Sequence, residues 1–196
     1  MPLKVTSRPI ELAGLPTGDF LFARSNQTLI GQGVALRLSA KGKDRIASLA
    51  KKWQEVCAEA EILDGVKLPG SSLVAFSSIT FSENSQVESV LVVPKRLYVI
   101  RPEASFVIEV EAEEHHLAET CAPTKFEAGK LSPAGFTNAV SKAIRTIEQT
   151  ELKKVVLSRD LEMVLPQQPD LTEPLARLRA RYPECWTYKV EGVFGA

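Results

Sequence analysis

Apolar and polar residues alternate along residues 19–39, which is the pattern of a half-buried β-strand. Ser25 and Asn26 interrupt this alternation with turn residues, so the stretch predicts a hairpin with strands at 20–23 and 28–39. The second strand contains the pattern Gly31-x-Gly33, without the third glycine and the following helix of a phosphate-binding loop. We therefore expect the two glycines to mark a strand bulge or a close backbone contact.

Three later stretches are rich in β-branched and aromatic residues and are separated by polar turns. They cover residues 71–81, 88–102 and 105–113. This arrangement predicts an antiparallel meander, in which Pro94 lies at a sheet edge, a bulge or a strand end because proline has no N–H to donate to the ladder.

The pattern changes to a helical period in three places. Residues 43–63 predict an amphipathic helix. Its apolar stripe consists of Ile46, Leu49, Ala50, Trp53, Val56, Cys57 and Ala60. A cysteine within such a stripe is expected to act as a small core residue and not as a nucleophile.

The second predicted helix covers residues 131–153, with Ser132 as its N-cap and Pro133 in its first turn. Its apolar stripe consists of Phe136, Val140, Ala143, Ile144 and Ile147. A third helix is predicted through Leu171, Leu175 and Leu178 and ends before Pro183, after which residues 185–196 predict a strand. The elements together predict an α+β fold, with a largely antiparallel sheet and flanking helices.

Composition excludes several classes of function. Acidic and basic residues number 24 each, so no overall positive charge favours nucleic acid or an anionic membrane. The three cysteines, Cys57, Cys121 and Cys185, lie far apart and form no zinc-ligand spacing. Free thiols and the absence of an apolar leader or a membrane-length apolar run predict a cytoplasmic location.

Both histidines, His115 and His116, lie in the segment "EEHHLAE" together with Glu119. His115 and Glu119 would share one face of a helix and could be drawn as metal ligands. Adjacent histidines without a second cluster are more typical of a solvated connection, which we take as the prediction.

The stretch "LKKVVLSRD" at residues 152–160 predicts a strand with charged residues at both ends. Because alternate side chains of a strand share a face, Lys154 would point to one side and Lys153 and Arg159 to the other. A free lysine side chain has a pKa of about 10.4, so it accepts a proton at neutral pH only if burial or a second cation lowers that value. Periodicity alone favours a lysine that extends from a strand end into solvent.

The segment "KVVLSR" and the helix before it resemble the signature of the chorismate-utilising enzymes, which include the isochorismate, salicylate, anthranilate and aminodeoxychorismate synthases. "GQGVALRL", "AFSSITFSENSQVESVLVVPKRLYV" and "CWTYKVEGVFGA" are similar to other segments of that family, in the same order. The resemblance implies that the chain is the N-terminal portion of a larger chorismate-binding domain that lacks its C-terminal half.

In this family a lysine at the position of Lys154 is found in members that add water to C2 of chorismate. The resemblance therefore implies that Lys154 is the general base of an isochorismate synthase, and Arg159 is interpreted as a structural partner of an acidic group. A salicylate synthase, which goes on to release pyruvate, and a non-catalytic scaffold remain open as alternatives. The product would serve menaquinone, siderophore or salicylate biosynthesis.

The same resemblance places the remaining parts of the site beyond Ala196. A proton-donating glutamate is expected in a Thr/Ser-Pro-Glu motif directly after "FGA", and the glutamates that bind Mg²⁺ are expected further on. We therefore expect the chain alone to be inactive, to contain no ligands for Mg²⁺ or another cofactor, and to self-associate through exposed core surface.

Overall fold

The computed structural model describes residues 2–111, 125–165 and 169–196 of the 196-residue chain. The chain forms two compact units, the first made of residues 1–117 and 171–196 and the second of residues 118–170. The fold is mixed α+β with mainly antiparallel strand pairs and few helices, which confirms the predicted class.

Thirteen strands and three helices are found in the described parts of the chain. In chain order they are β1 (Lys4–Pro9), β2 (Phe20–Arg24), β3 (Gln27–Gln32), β4 (Leu36–Ala40), α1 (Arg45–Glu59), β5 (Glu61–Asp64), β6 (Phe76–Ser78), β7 (Ser89–Val93), β8 (Arg96–Ile100), β9 (Ser105–Glu111), β10 (Lys125–Ala128), α2 (Pro133–Gln149), β11 (Leu161–Val164), α3 (Thr172–Arg181), β12 (Thr187–Val190) and β13 (Val193–Gly195).

The first unit contains an eight-stranded and a three-stranded sheet. The large sheet has the order β13-β12-β2-β3-β8-β9-β1-β5, and the small sheet has the order β4-β7-β6. All neighbouring strands of both sheets are antiparallel except β1 and β5, which are parallel. The second unit contains the antiparallel pair β10-β11 and helix α2.

The predicted hairpin near the N-terminus is confirmed. Strands β2 and β3 pair from Phe20↔Gly31 to Arg24↔Gln27, and Ser25 in the turn has a φ of 50°. The second predicted strand is divided in two, however, because Gly33 has a φ of 62° and redirects the chain into β4 of the small sheet. A left-handed residue interrupts the ladder, and the alternation of side chains does not reveal this break.

Gly31 lies at a close backbone contact, as the sequence predicted. A Cβ atom at this position would lie 3.0–3.1 Å from side-chain atoms of Pro94, Phe20 and Phe76. Phe76 of the small sheet therefore packs against β3 at a distance that leaves little room for a side chain at position 31.

The prediction of one continuous meander is wrong, although Pro94 does lie at a strand end. Strand β7 ends at Val93 and belongs to the small sheet, whereas β8 begins at Arg96 and belongs to the large sheet. The proline separates the two strands at the point where the chain crosses from one sheet to the other, since it cannot donate to either ladder.

The core of the first unit lies between the facing surfaces of its sheets and helix α1. Its fully buried side chains include Phe20, Phe106, Val92 and Val93. In α1 only part of the predicted stripe is covered: Leu49 is buried and Trp53 and Val56 pack against the core, but Ile46 is 57% exposed and Cys57 is also exposed. The expectation of a core role for Cys57 is therefore wrong, because the buried face of the helix is narrower than its apolar stripe.

The C-terminal residues form a hairpin where the sequence predicted a single strand. Glu191 and Gly192 have φ angles of 48° and 79°, and they connect β12 to β13 in the manner of a two-residue hairpin turn. Helix α3 precedes the hairpin, buries Leu175 and ends at Arg181, as its position before Pro183 predicted. No helix in the described ranges is long and apolar enough to cross a bilayer.

Helix α2 of the second unit begins where the sequence predicted. The Oγ of Ser132 accepts a hydrogen bond from the backbone N–H of Gly135 at 3.1 Å, and Pro133 occupies the first turn. The apolar stripe of α2 is nevertheless only partly covered, since Phe136, Val140, Ala143 and Ile147 are half-buried. None of the residues of this helix is buried, and Ile144 is 52% exposed.

Candidate functional site

The segment that carries Lys154 follows α2 directly. Residues 152–160 form neither a helix nor a strand, and the next strand, β11, begins only at Leu161. The prediction of a strand at 152–160 is therefore wrong for this structure. A strand exists only when its N–H and C=O groups meet a partner, and no described residue pairs with this segment.

The start of this segment is fixed to the end of α2. The Oγ1 of Thr150 donates to the carbonyl oxygen of Thr146 at 2.7 Å and accepts the N–H of Leu152 at 3.2 Å. The threonine hydroxyl satisfies one of the free carbonyl groups in the last turn of the helix. The position of the chain just before Lys153 and Lys154 is thus defined locally.

The end of the segment is fixed to the loop before α2. The Nε of Arg159 donates to the carbonyl oxygen of Leu131 at 3.1 Å, and both carboxylate oxygens of Asp160 accept the N–H of Lys130, at 3.1 and 3.2 Å. Gly129 packs so closely against Asp160 that any Cβ atom at 129 would overlap with it. The acidic partner expected for Arg159 is not found among the described residues, because its Nε donates to a backbone carbonyl instead.

The middle of the segment presents apolar side chains to solvent. Val156 is 80% exposed, and Leu152, Val155 and Leu157 are each 38–43% exposed. Three neighbouring aliphatic side chains at 155–157 are unusual on a free surface, because each would gain free energy by burial. The surface formed by Leu152, Val155, Val156 and Leu157 is called the 152–157 apolar surface below.

Lys154 lies beside this surface and is itself exposed. Its ammonium group takes part in no hydrogen bond or ion pair within the described parts of the chain. The described residues thus leave Lys154 available but do not enclose it. The predicted separation of Lys153 and Lys154 onto opposite faces depended on a strand and is not supported.

No three His, Cys, Asp or Glu side chains come together within residues 2–111, 125–165 and 169–196 in a way that could hold a metal ion. His115, His116 and Glu119, the alternative metal ligands in the sequence, lie outside the described residues, as does Cys121.

The pairing of Asp160 with Lys130 was not found from the sequence. The two residues are 30 positions apart, and neither belongs to a motif that predicts the contact. The one local signal is Gly129, whose lack of a side chain allows the approach of Asp160.

The mixed α+β architecture and the anchored segment around Lys154 can be compared with known protein families. Residues 103–194, a little under half of the chain, match a family model described as chorismate binding enzyme. This range contains Lys154, both anchors of its segment, helices α2 and α3, and nearly all of the C-terminal hairpin. No curated protein and no solved structure matches the chain.

Proposed function

We propose that this protein is part of an isochorismate synthase, which isomerises chorismate to isochorismate. The observation that carries the proposal is Lys154 in the segment "KVVLSR", within the range that matches the chorismate-binding family model. The match itself suggests a chorismate-utilising function, and the lysine at this position supports the addition of water as the specific reaction.

In the proposed mechanism the amine of Lys154 removes a proton from a water molecule as its oxygen bonds to C2 of chorismate. The ring double bonds shift, and the 4-hydroxyl group leaves as water after it takes a proton from an acid. That acid is the glutamate expected beyond Ala196, where the ligands for Mg²⁺ are also expected. Water is added and water is lost, so the overall reaction is an isomerisation.

The exposure of Lys154 sets a condition for this mechanism. A lysine acts as a base near neutral pH when burial or a nearby cation favours its neutral form. We propose that further polypeptide of a larger chorismate-binding domain packs on the 152–157 apolar surface and encloses Lys154. The four exposed apolar residues support this proposal, and the 196-residue chain alone is then expected to be inactive.

The test is an assay of the complete gene product with chorismate and Mg²⁺, followed by chromatographic separation of the products. Isochorismate is expected as the product. Release of pyruvate would instead identify a salicylate synthase, and formation of anthranilate in the presence of ammonia would contradict the proposal.

Lys154→Ala tests the role of the base. General base catalysis contributes about 10²–10⁴-fold to a rate, so kcat is expected to fall by at least about 100-fold. Lys153→Ala is the matched control, because it removes the same charge from the adjacent position, and it is expected to retain activity within about threefold. Equal losses in both variants would show that the charge of the segment matters and that Lys154 is not the base.

The second candidate is a non-catalytic scaffold that associates with itself, and the 152–157 apolar surface is the observation that favours it. Sedimentation velocity of the 196-residue chain distinguishes the states, since uncovered apolar surface predicts association that grows with concentration. A monomer at all concentrations would contradict self-association. Catalysis by the complete gene product would contradict a purely structural role.

A further inference from the structure

A pocket of about 520 Å³ lies in the first unit, on a face of the β2–β3 hairpin. Leu21, Thr28 and Ile30 of the hairpin line one side, and helix α3 lines the other through Leu175, Ala176 and its neighbours. Leu15 and Pro16 contribute from the loop before β2. Leu21 and Ile30 are paired in register and alternate with Phe20, whose ring stacks on Phe76 in the core, and Phe20 also contributes to the pocket wall.

The size and chemistry of this pocket are those of a small-molecule site. Pockets for organic ligands commonly have volumes of roughly 300–1,000 Å³ and apolar walls with a few polar groups. In this pocket aliphatic side chains provide most of the wall, and the polar groups include Thr28 and two cationic side chains, Arg179 and Lys189. No Asp or Glu is among the described residues that line it.

The two cations lie at opposite ends of β2. Lys189 donates from Nζ to the carbonyl oxygen of Gly18 at 3.3 Å, before the strand begins, and Arg179 donates from Nη2 to the carbonyl oxygen of Ser25 at 3.2 Å, after it ends. At about 3.3 Å per residue, these two carbonyl groups are roughly 20 Å apart. The pocket between the cations is therefore elongated.

Neither cation is neutralised by a carboxylate in the described parts of the chain, because both use backbone carbonyls as partners. The contrast with Arg177, two residues before Arg179 on α3, is direct: Arg177 forms an ion pair with Glu173 and does not line the pocket. Partly buried cations beside an apolar surface favour an anionic ligand, since a neutral ligand would desolvate them without compensation.

We propose that this pocket binds an aliphatic monocarboxylic acid, with its carboxylate on Arg179 or Lys189 and its chain between α3 and the β2–β3 hairpin. A small inorganic anion would leave the apolar walls uncovered, and an apolar molecule without charge would leave the cation at its end of the pocket without a carboxylate, whereas the other cation keeps its backbone carbonyl. The elongated shape favours a linear chain over a compact ring. This site is separate from Lys154 and does not depend on the reaction proposed above.

Calorimetric titration of the 196-residue chain with hexanoate, octanoate and decanoate tests the apolar part of the proposal. Burial of a methylene group contributes about 0.8 kcal/mol, so affinity is expected to rise about two- to fourfold for each added carbon. Decanol is the neutral control and is expected to bind at least about tenfold more weakly than decanoate. No binding of decanoate, equal binding of decanol, or no dependence on chain length would overturn the proposal.

The double variant Arg179→Gln/Lys189→Gln tests the charged part. Loss of a charge-assisted hydrogen bond corresponds to about 10–100-fold in affinity for decanoate, and the two single variants show which cation holds the carboxylate. Arg177→Gln is the matched control on the same helix and is expected to bind within twofold of the unaltered chain. Less than a fivefold loss in the double variant would overturn the proposal.

Ala176→Phe tests the location, because it fills the pocket and leaves both cations in place. It is expected to weaken decanoate binding at least tenfold while the circular dichroism spectrum of the chain stays unchanged. Unchanged affinity in a folded Ala176→Phe variant would place the carboxylate elsewhere and overturn the proposal.

Discussion

Runs of aliphatic residues occur both in strands β7 and β9 of the first unit and in the segment 152–160 of the second unit. The side chains of these runs lie in different environments. Val92, Val93 and Phe106 are fully buried in the first unit. Val155 and Val156 are exposed in the second, and helix α2 has no buried residue at all. The apolar runs are alike in both places, although residues 152–160 also contain charged residues, so the apolar runs by themselves do not explain the difference.

The difference follows from the presence of an opposing layer. Buried residues of β7 and β9 belong to one core cluster against which residues of helix α1 also pack, and each of the two strands has a partner on both sides. The second unit has one helix and one pair of strands in its described part, and no residue of that helix is fully buried. Apolar sequence thus becomes core only where the fold supplies a second surface.

The largest expected effect is on the core of the first unit. Phe106→Ala removes a fully buried ring from β9 and leaves a cavity, which is expected to lower the free energy of unfolding by about 3–5 kcal/mol. Urea denaturation measures this change. Ile144→Ala in α2 is the comparison, and because Ile144 is half exposed it is expected to cost less than about 1 kcal/mol. Equal costs would show that α2 is covered as well as β9.

The second prediction concerns Asp64 at the end of β5. Its carboxylate joins this edge strand to its parallel neighbour β1 through Ser7. Its carboxylate accepts hydrogen bonds from the N–H of Lys67 at 2.8 Å, the N–H of Val66 at 2.9 Å and the hydroxyls of Ser71 and Ser7 at 2.7 Å. These donors, first that of Lys67 and then those of Ser71 and Ser7, hold the pKa of Asp64 well below its usual range.

Because the folded-state pKa lies below the unfolded value of about 3.9, ionised Asp64 stabilises the fold above that pH. This contribution is lost as the pH falls below about 4 toward the folded-state pKa. Asp64→Asn is therefore expected to lower Tm by several degrees between pH 5 and 7. The difference in Tm between the variant and the unaltered chain is expected to narrow below pH 4. A difference that stays constant down to pH 2 would contradict a role for the charge.

Local elements were predicted from the sequence more successfully than the pairing of distant ones. The β2–β3 hairpin, the N-cap at Ser132 and the end of α3 before Pro183 each depend on residues a few positions apart, and all are found. Strand β1 was missed, because its short polar sequence "KVTSRP" becomes a strand only by pairing with β9 and β5. Those partners are about 100 and 57 residues away in the chain.

At the candidate site, too, the sequence did not predict which distant residues pair. The sequence of residues 152–160 has a strong strand propensity, but propensity does not supply a partner for its backbone groups. The anchors Thr150 and Asp160 could not be predicted either, since the contact of Asp160 with Lys130 depends on how the chain returns past α2. The identity of Lys154 came from resemblance, and its environment came only from the structure.

A third, smaller effect is expected at the start of α2. Ser132→Ala removes the acceptor of the Gly135 N–H, and loss of such a cap costs about 1 kcal/mol. Because α2 has no buried residue, the loss is expected to stay local and to speed amide hydrogen exchange in the first turn about fivefold. Ser132→Asp keeps an acceptor and is the control. A global change in the urea midpoint would show that α2 is coupled to the rest of the fold.

The smallest expected effect on stability is at Val156. It gives the most direct comparison of an exposed valine in the second unit with a buried valine in the first. Val156 is 80% exposed, so Val156→Lys is expected to change the free energy of unfolding by less than about 0.5 kcal/mol, whereas the same change at the fully buried Val92 would prevent folding. Since the substitution places a charge in the centre of the 152–157 apolar surface, it is also expected to reduce concentration-dependent association in sedimentation velocity. A decrease of more than about 1 kcal/mol in the free energy of unfolding would mean that residues 152–157 pack against other residues of this chain. The contrast between buried valines in the first unit and exposed valines in the second would then be wrong.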